Sequence, residues 1–274
     1  MAEKYIPKED IEALIKKRLC GKDIAKKLGI TRKTLYNKME KYGLKLDTSP
    51  RFDTSVFNNI DSEEKAYWLG FLYADGYVSS IHKQVEISLK GEDFNHLVKF
   101  SKFLHDEREN PVKLSTIKVG EKTFSRCRYI VGNCEFHTRL CELGCIPKKS
   151  LTLTFPNVHI FLNKELIFDF VRGYIDGDGS LSNTNSGRLQ ISIIGTIEFL
   201  NEIKKLFPEF GEIYTDKRNP NVHEIACSAN NADKVANRLY KNATIYLDRK
   251  YKKFAALCKT DSETSDKNGE GCDS

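Results

Sequence analysis

The sequence predicts an α+β fold made of two similar halves, each running α-β-β-α-β-β-α, behind a small all-α module. Three observations carry this. An apolar helical stretch ending in Asp-Gly occurs twice, as Trp68-Leu69-Gly70-Phe71-Leu72-Tyr73-Ala74-Asp75-Gly76 and as Val171-Arg172-Gly173-Tyr174-Ile175-Asp176-Gly177-Asp178-Gly179. After each copy the apolar period changes from that of a helix to that of a strand. The first 46 residues stand apart, with thirteen Lys/Arg against six Asp/Glu spread over three short helical patterns.

The N-terminal module comes first. Residues 8–18 alternate apolar and charged positions at helical period, with Pro7 at their start. Cys20-Gly21 breaks the pattern, a short helix follows from Lys22 to Leu28, and Gly29 turns the chain. Thr31 is the expected N-cap of a third helix that reaches Tyr42, with Leu35 and Met39 packing on Ile24 and Leu28. This is the pattern of a helix-turn-helix, which puts Arg32, Lys33, Tyr36 and Asn37 on the exposed face of its third helix. The whole chain carries a formal +6, whereas residues 1–46 alone carry +7 and the stretch 259–274 carries −3. Such asymmetry points to a polyanion as the partner of residues 1–46.

Residues 47–62 have the Ser/Thr/Asp/Pro mix of a linker. Ser62, followed by Glu63 and Glu64, opens the first apolar helix. The first half spans 63–157. In it Val85, Ile87 and Leu89 alternate with Glu86, Ser88 and Lys90, as a half-buried antiparallel strand requires. A helix follows around Phe94–Phe103, then strands near 112–117 and 123–131, then a helix from Glu135 to Leu143. The second half, 158–257, repeats the order with a strand at 189–194, a helix at 197–206, strands near 212–216 and 222–227, and a helix near 232–240. Residues 258–274 are rich in Ser, Thr, Asp, Glu and Gly without periodicity and read as a disordered tail.

The duplication has a chemical consequence. Gly70 with Ala74, and Gly173 with Gly177, put small residues four apart on one helical face, where two backbones can approach closely. A crossing there brings Asp75 and Asp178 together, and two adjacent carboxylates are costly unless a metal or a shared proton relieves them. Gly76 and Gly179 read as left-handed helix caps. The repeat continues: Ile87-Ser88-Leu89-Lys90-Gly91 matches Ile191-Ser192-Ile193-Ile194-Gly195, and Pro147-Lys148-Lys149-Ser150 matches Asp248-Arg249-Lys250-Tyr251. A repeat of about a hundred residues implies a pseudo-twofold axis.

On these motifs, residues 60–256 resemble a single-chain, two-motif LAGLIDADG homing endonuclease. The chain departs from that pattern at Tyr73, where the family often has Asp, and at Arg172 and Gly177. The resemblance implies a saddle of two sheets on double-stranded DNA, a monomer, and Mg²⁺-dependent hydrolysis of a long asymmetric target. It implies that Asp75 and Asp178 hold the metal together with the carbonyls of Ala74 and Gly177. It also implies that Lys149 and Lys250 act near the scissile phosphate, with Lys148 the alternative to Lys149. The polar sheet faces offer Lys83, Lys90, Arg126, Arg128, Arg188, Gln190, Lys217 and Arg218 as DNA contacts. A non-cleaving DNA-binding regulator or an RNA maturase of the same fold is the alternative function.

Other classes are set aside by composition. No apolar run approaches the ~20 residues of a membrane span, and Met1-Ala2-Glu3-Lys4-Tyr5 lacks the apolar core of a secretion signal, so a cytoplasmic, reducing compartment is expected. Among the eight Cys there is no Cys-x-x-Cys pair. Cys127, Cys134, His137, Cys141 and Cys145 cluster, but three of them fall at helical spacing, which suits a packed helix better than a zinc site.

Overall fold

The computed structural model describes residues 5–47, 49–215, 220 and 222–265, leaving aside the side chains of 119 and 257–265. The chain divides into two compact units, Met1–Pro50 and Arg51–Ser274.

The first unit holds α1 (Lys8–Lys16), α2 (Gly21–Leu28) and α3 (Arg32–Tyr42). Ile11, Ile24, Ala25, Leu35 and Met39 form its core. Gly29, at φ 65°, provides the left-handed turn between α2 and α3, a conformation an L side chain resists. Thr31 then caps α3 by accepting the Thr34 N–H at 3.1 Å.

The second unit contains both halves. The first is α4 (Glu63–Asp75), β1 (Gly76–Val78), β2 (Gln84–Lys90), α5 (Phe94–Phe103), β3 (Lys113–Val119), β4 (Lys122–Gly132) and α6 (Cys134–Glu142). The second is α7 (Glu165–Asp178), β5 (Ser180–Asn183), β6 (Leu189–Gly195), α8 (Ile197–Leu206), β7 (Tyr214–Thr215), β8 (His223–Ser228) and α9 (Ala229–Tyr240), followed by α10 (Asp248–Ser265). The sheets have the same order, β1-β2-β4-β3 and β5-β6-β8-β7, with every pairing antiparallel. Strand alternation decides which face is buried: Val85, Ile87, Cys127, Tyr129 and Val131 turn inward, as do Leu189, Ile191, Ile193, Ile225 and Cys227. One apolar core runs through both halves, with α4 and α7 at its centre. β1 and β5 are too short for alternation to locate them in the sequence.

Two boundaries differ from the sequence expectation. Residues 51–62, read from composition as linker, are fixed to the core unit. Phe57 and Ile60 are fully buried, Phe52 packs edge-on to Phe136, and Ile60 bridges to Phe161 just ahead of the second motif helix. Polar residues between these anchors hid them: Asp53 makes a local turn by accepting the Ser55 N–H at 2.8 Å. At the other end α10 continues to Ser265, into the stretch read as an irregular tail, while residues 266–274 lie outside the described residues. No helix of the described residues is long and apolar enough to cross a membrane.

Candidate active site and nucleic-acid face

The site begins with glycine. A Cβ on Gly70 would overlap the Phe170 carbonyl, one on Gly173 the Tyr67 carbonyl, and one on Gly177 the Ala74 methyl. Only at these positions can α4 and α7 come together, and the crossing leaves Asp75 Oδ2 about 3.4 Å from where a Gly177 Cβ would lie. Gly76 and Gly179 differ from expectation. Both are extended, at φ −73° and −75°, so they are not left-handed caps. They are glycines because a Cβ there would meet the Leu72 carbonyl or, at 2.7 Å, the Ile175 carbonyl. The chain leaves each helix directly into a strand.

Asp75 is half-buried and Asp178 is open to solvent on one side. Burial, and then the Asp178 charge, push the Asp75 pKa up to about 6, while Lys250 and Lys149 pull the other way. Burial on its protein side raises Asp178 as well, and Lys149 ahead of Lys250 offsets part of that. Among the described residues neither carboxylate accepts a hydrogen bond or joins an ion pair.

The two lysines hold the helix ends. Lys149 Nζ donates to the Gly76 carbonyl, whereas Lys148 is exposed. Lys149 lines a cleft of about 220 Å³ with Ala74, Tyr174, Asp178 and Thr196, so a residue of the first half stands beside the acid of the second. Lys250 is only 3 % exposed and donates to the carbonyls of Ile175, Asp176 (2.8 Å), Gly177 (3.4 Å) and Gly179. Burial lowers its pKa to about 8 although Asp176, Asp75 and Asp178 counteract. The Gly177 carbonyl, expected as a free metal ligand, is thus shared with Lys250.

Two charged residues that sequence reasoning passed over build this arrangement. Asp176 is fully buried and accepts Tyr240 OH (2.6 Å), Tyr67 OH (2.8 Å) and Leu247 N–H (2.7 Å), tying α4, α9 and the approach to Lys250 to one carboxylate. Arg172, also buried, donates to Asp169 (2.6 Å), Glu63 (2.7 Å) and the Leu239 and Ile245 carbonyls (both 3.0 Å). Glu63 in turn accepts the Thr244 N–H at 2.8 Å. The signal was in the sequence: a charge inside an apolar helix must be paired to stay there. Tyr73, at the place of Asp176 in the first copy, donates to the Leu143 carbonyl instead.

The polar sheet faces are unequal. On the first, Glu86 accepts both guanidinium arms of Arg128 and lies 3.4 Å from Arg126, which also donates to Ser88. Lys90 is exposed on the same face, and Lys83 is exposed in the β1–β2 turn. The second face shows Ser180, Ser182, Gln190 and Ser192 in register. Arg188 is committed elsewhere, to Asn230 and Asp233 (3.4 Å) at the start of α9. Lys217 and Arg218 lie outside the described residues. In the first unit Arg32, Lys33, Tyr36 and Asn37 are all exposed on α3.

A family model described as LAGLIDADG-like domain matches residues 165–240, from the first residue of α7 to the last of α9. Residues 165–240 are thus similar to a LAGLIDADG-like domain. The first half, outside that match, repeats the strand order of the second and its motif helix. A model described as bacterial regulatory protein, Fis family, matches residues 22–42, which are α2, its turn and α3. Among solved structures, the homing endonuclease I-WcaI bound to its DNA recognition sequence superposes with a TM-score of 0.52 at 12% identity, covering 72% of this chain and 87% of that one. The meganuclease I-SmaMI bound to DNA gives a TM-score of 0.47 at 15% identity, covering 74% and 91%. This chain and I-WcaI share a fold. No curated protein matches the chain in sequence.

Proposed function

We propose that the protein is a site-specific, Mg²⁺-dependent endonuclease that cuts both strands of a long, asymmetric DNA target. One observation carries the reading: two carboxylates from equivalent helix ends stand at the α4–α7 crossing, neither with a partner among the described residues. A divalent cation fits that donor set. It removes the repulsion that burial imposes, and Mg²⁺ takes oxygen ligands while borrowing the rest from water and substrate phosphate. Asp75 and Asp178 would be its carboxylate ligands. Bound there, the cation supplies charge stabilisation at the phosphoryl group and activation of water.

The chain's own groups do the rest. Asp75 and Asp178 are placed to orient a water by accepting its hydrogen bond. Lys149, in the cleft beside Asp178, puts a cation where a scissile phosphate oxygen would gain negative charge. Lys250 is more deeply held and acts by fixing the end of α7. The cationic face of the first sheet and the exposed side of α3 give the duplex its phosphate contacts.

Asp75→Asn and Asp178→Asn test this. Each keeps side-chain size and removes a charge, so each should still bind target DNA but convert supercoiled plasmid to relaxed circles at most, and the double variant should bind without cutting. Linear product at wild-type rates from both single variants would remove these acids from the chemistry. The same fold would then be read as a DNA-binding regulator or RNA maturase.

A further inference from the structure

Beyond the phosphate contacts, the first sheet carries an apolar pair where a polar pair is expected. Ile117 on β3 lies directly opposite Phe124 on β4, and the two are 41 % and 47 % exposed. Alternation puts Phe124 on the same side as Arg126 and Arg128, because Cys127, Tyr129 and Val131 take the inward positions. The hairpin is closed by Gly120 at φ 61°, and Lys122, two residues from Phe124 on that face, is exposed. α5 and α6 pack on the opposite face of this sheet, so no element of the described residues covers the pair. A single exposed apolar residue needs no account, but a facing pair beside cations, on a face that also exposes Tyr77 opposite Glu86, does.

Resting on the endonuclease reading above, we propose that Ile117 and Phe124 are specificity-determining residues that read the C5 methyl of thymine in the major groove. Lys122, Arg126 and Arg128 outnumber Glu86, which both arginines share, so the face keeps a net positive charge that matches a polyanion and selects DNA over an apolar partner for this surface. Within the major groove the thymine methyl is the one apolar feature among hydrogen-bonding edges, and side chains of this type contact it.

The test uses the full-length protein and duplexes it retains from a randomised pool. Retained duplexes should be enriched in thymine at one or two positions of one half-site. Replacing those thymines singly by deoxyuracil, which differs by the methyl alone, should weaken binding roughly fourfold, the worth of one buried methyl group. Ile117→Ser and Phe124→Ser should bind thymine and uracil duplexes equally, whereas Phe124→Leu should keep the preference. A general loss of hairpin structure would lower both affinities without abolishing their ratio in the Leu variant. If duplexes are retained but show no methyl dependence, or the Ser variants still prefer thymine, this inference is overturned and the endonuclease reading stands. If no duplex is retained in a salt-dependent manner, both fall together.

Discussion

Two aspartates two residues apart on α7 have opposite physical situations. Asp176 is surrounded by three donors in the core, whereas Asp178 has no partner among the described residues and a neighbouring carboxylate. The same Asp→Asn change should therefore act in opposite directions on the metal-free protein. In Asp176→Asn the new NH₂ group faces a hydroxyl or N–H donor, leaving buried groups unsatisfied, which should lower stability by about 1–3 kcal/mol. Asp178→Asn breaks no hydrogen bond and removes the charge that faces Asp75, so stability should hold or rise slightly. Urea unfolding at neutral pH without divalent metal would measure both; a loss of similar size in the two variants would contradict the distinction. Adding Mg²⁺ should raise the melting temperature of the wild type more than that of Asp178→Asn.

At the level of elements, the α4–α7 crossing is the feature everything else depends on, and its glycines offer no room. Gly70→Ala or Gly173→Ala would drive a methyl group into the facing backbone carbonyl, which a side-chain rotation cannot relieve. The helices must separate, so each should lose about 1–3 kcal/mol in thermal or chemical unfolding, and should lose cutting beyond what that loss explains. Ala74→Gly, which removes a methyl from the same seam, should cut near the wild-type rate; equal tolerance of all three would mean that the closeness of the helices does not matter. This crossing was legible in the sequence because small residues four apart on an apolar helix have few other uses, and the strands were legible because one polar face enforces alternation. What was not legible depended on pairing across long separations. The roles of Asp176 and Arg172 require Tyr240, Glu63 and the 244–247 segment, and nothing local to α7 announces those partners. The anchoring of 51–62 was hidden in the same way, since Phe57 and Ile60 are spaced apart by turn-forming residues. The glycines after each acid were read as left-handed caps because crowding against a helix carbonyl and a positive φ leave the same mark on a sequence.

For the molecule as a whole, the two units divide the labour that the endonuclease reading requires, and the core unit divides it again. The first unit carries most of the excess positive charge, with Arg32 and Lys33 exposed on α3. Removing residues 1–50 should weaken DNA binding and flatten its salt dependence, by a slope of roughly 0.9 for each phosphate no longer neutralised, while cutting at high protein concentration survives. An unchanged slope would show that this unit does not meet the duplex. Within the core unit the two halves are joined more closely than a twofold repeat demands, because the charges pair across it. Lys149 belongs to the first half yet lines the cleft with Asp178, Tyr174 and Thr196 of the second. Asp178 is influenced by Lys149 ahead of Lys250, and Asp75 by Lys250 ahead of Lys149. If each acid attends to one strand, Lys149→Met should slow the strand that Asp178→Asn slows and leave the other close to its normal rate. Its Kd for the target should change little, because a cation acting where charge develops contributes mainly in the transition state. Target duplexes labelled on one strand at a time, cut by each variant with Mg²⁺, separate the possibilities. Slowing of the Asp75 strand instead would mean that each half builds its own site, and equal slowing of both strands would mean that Lys149 serves only to hold the Gly76 carbonyl at the end of α4.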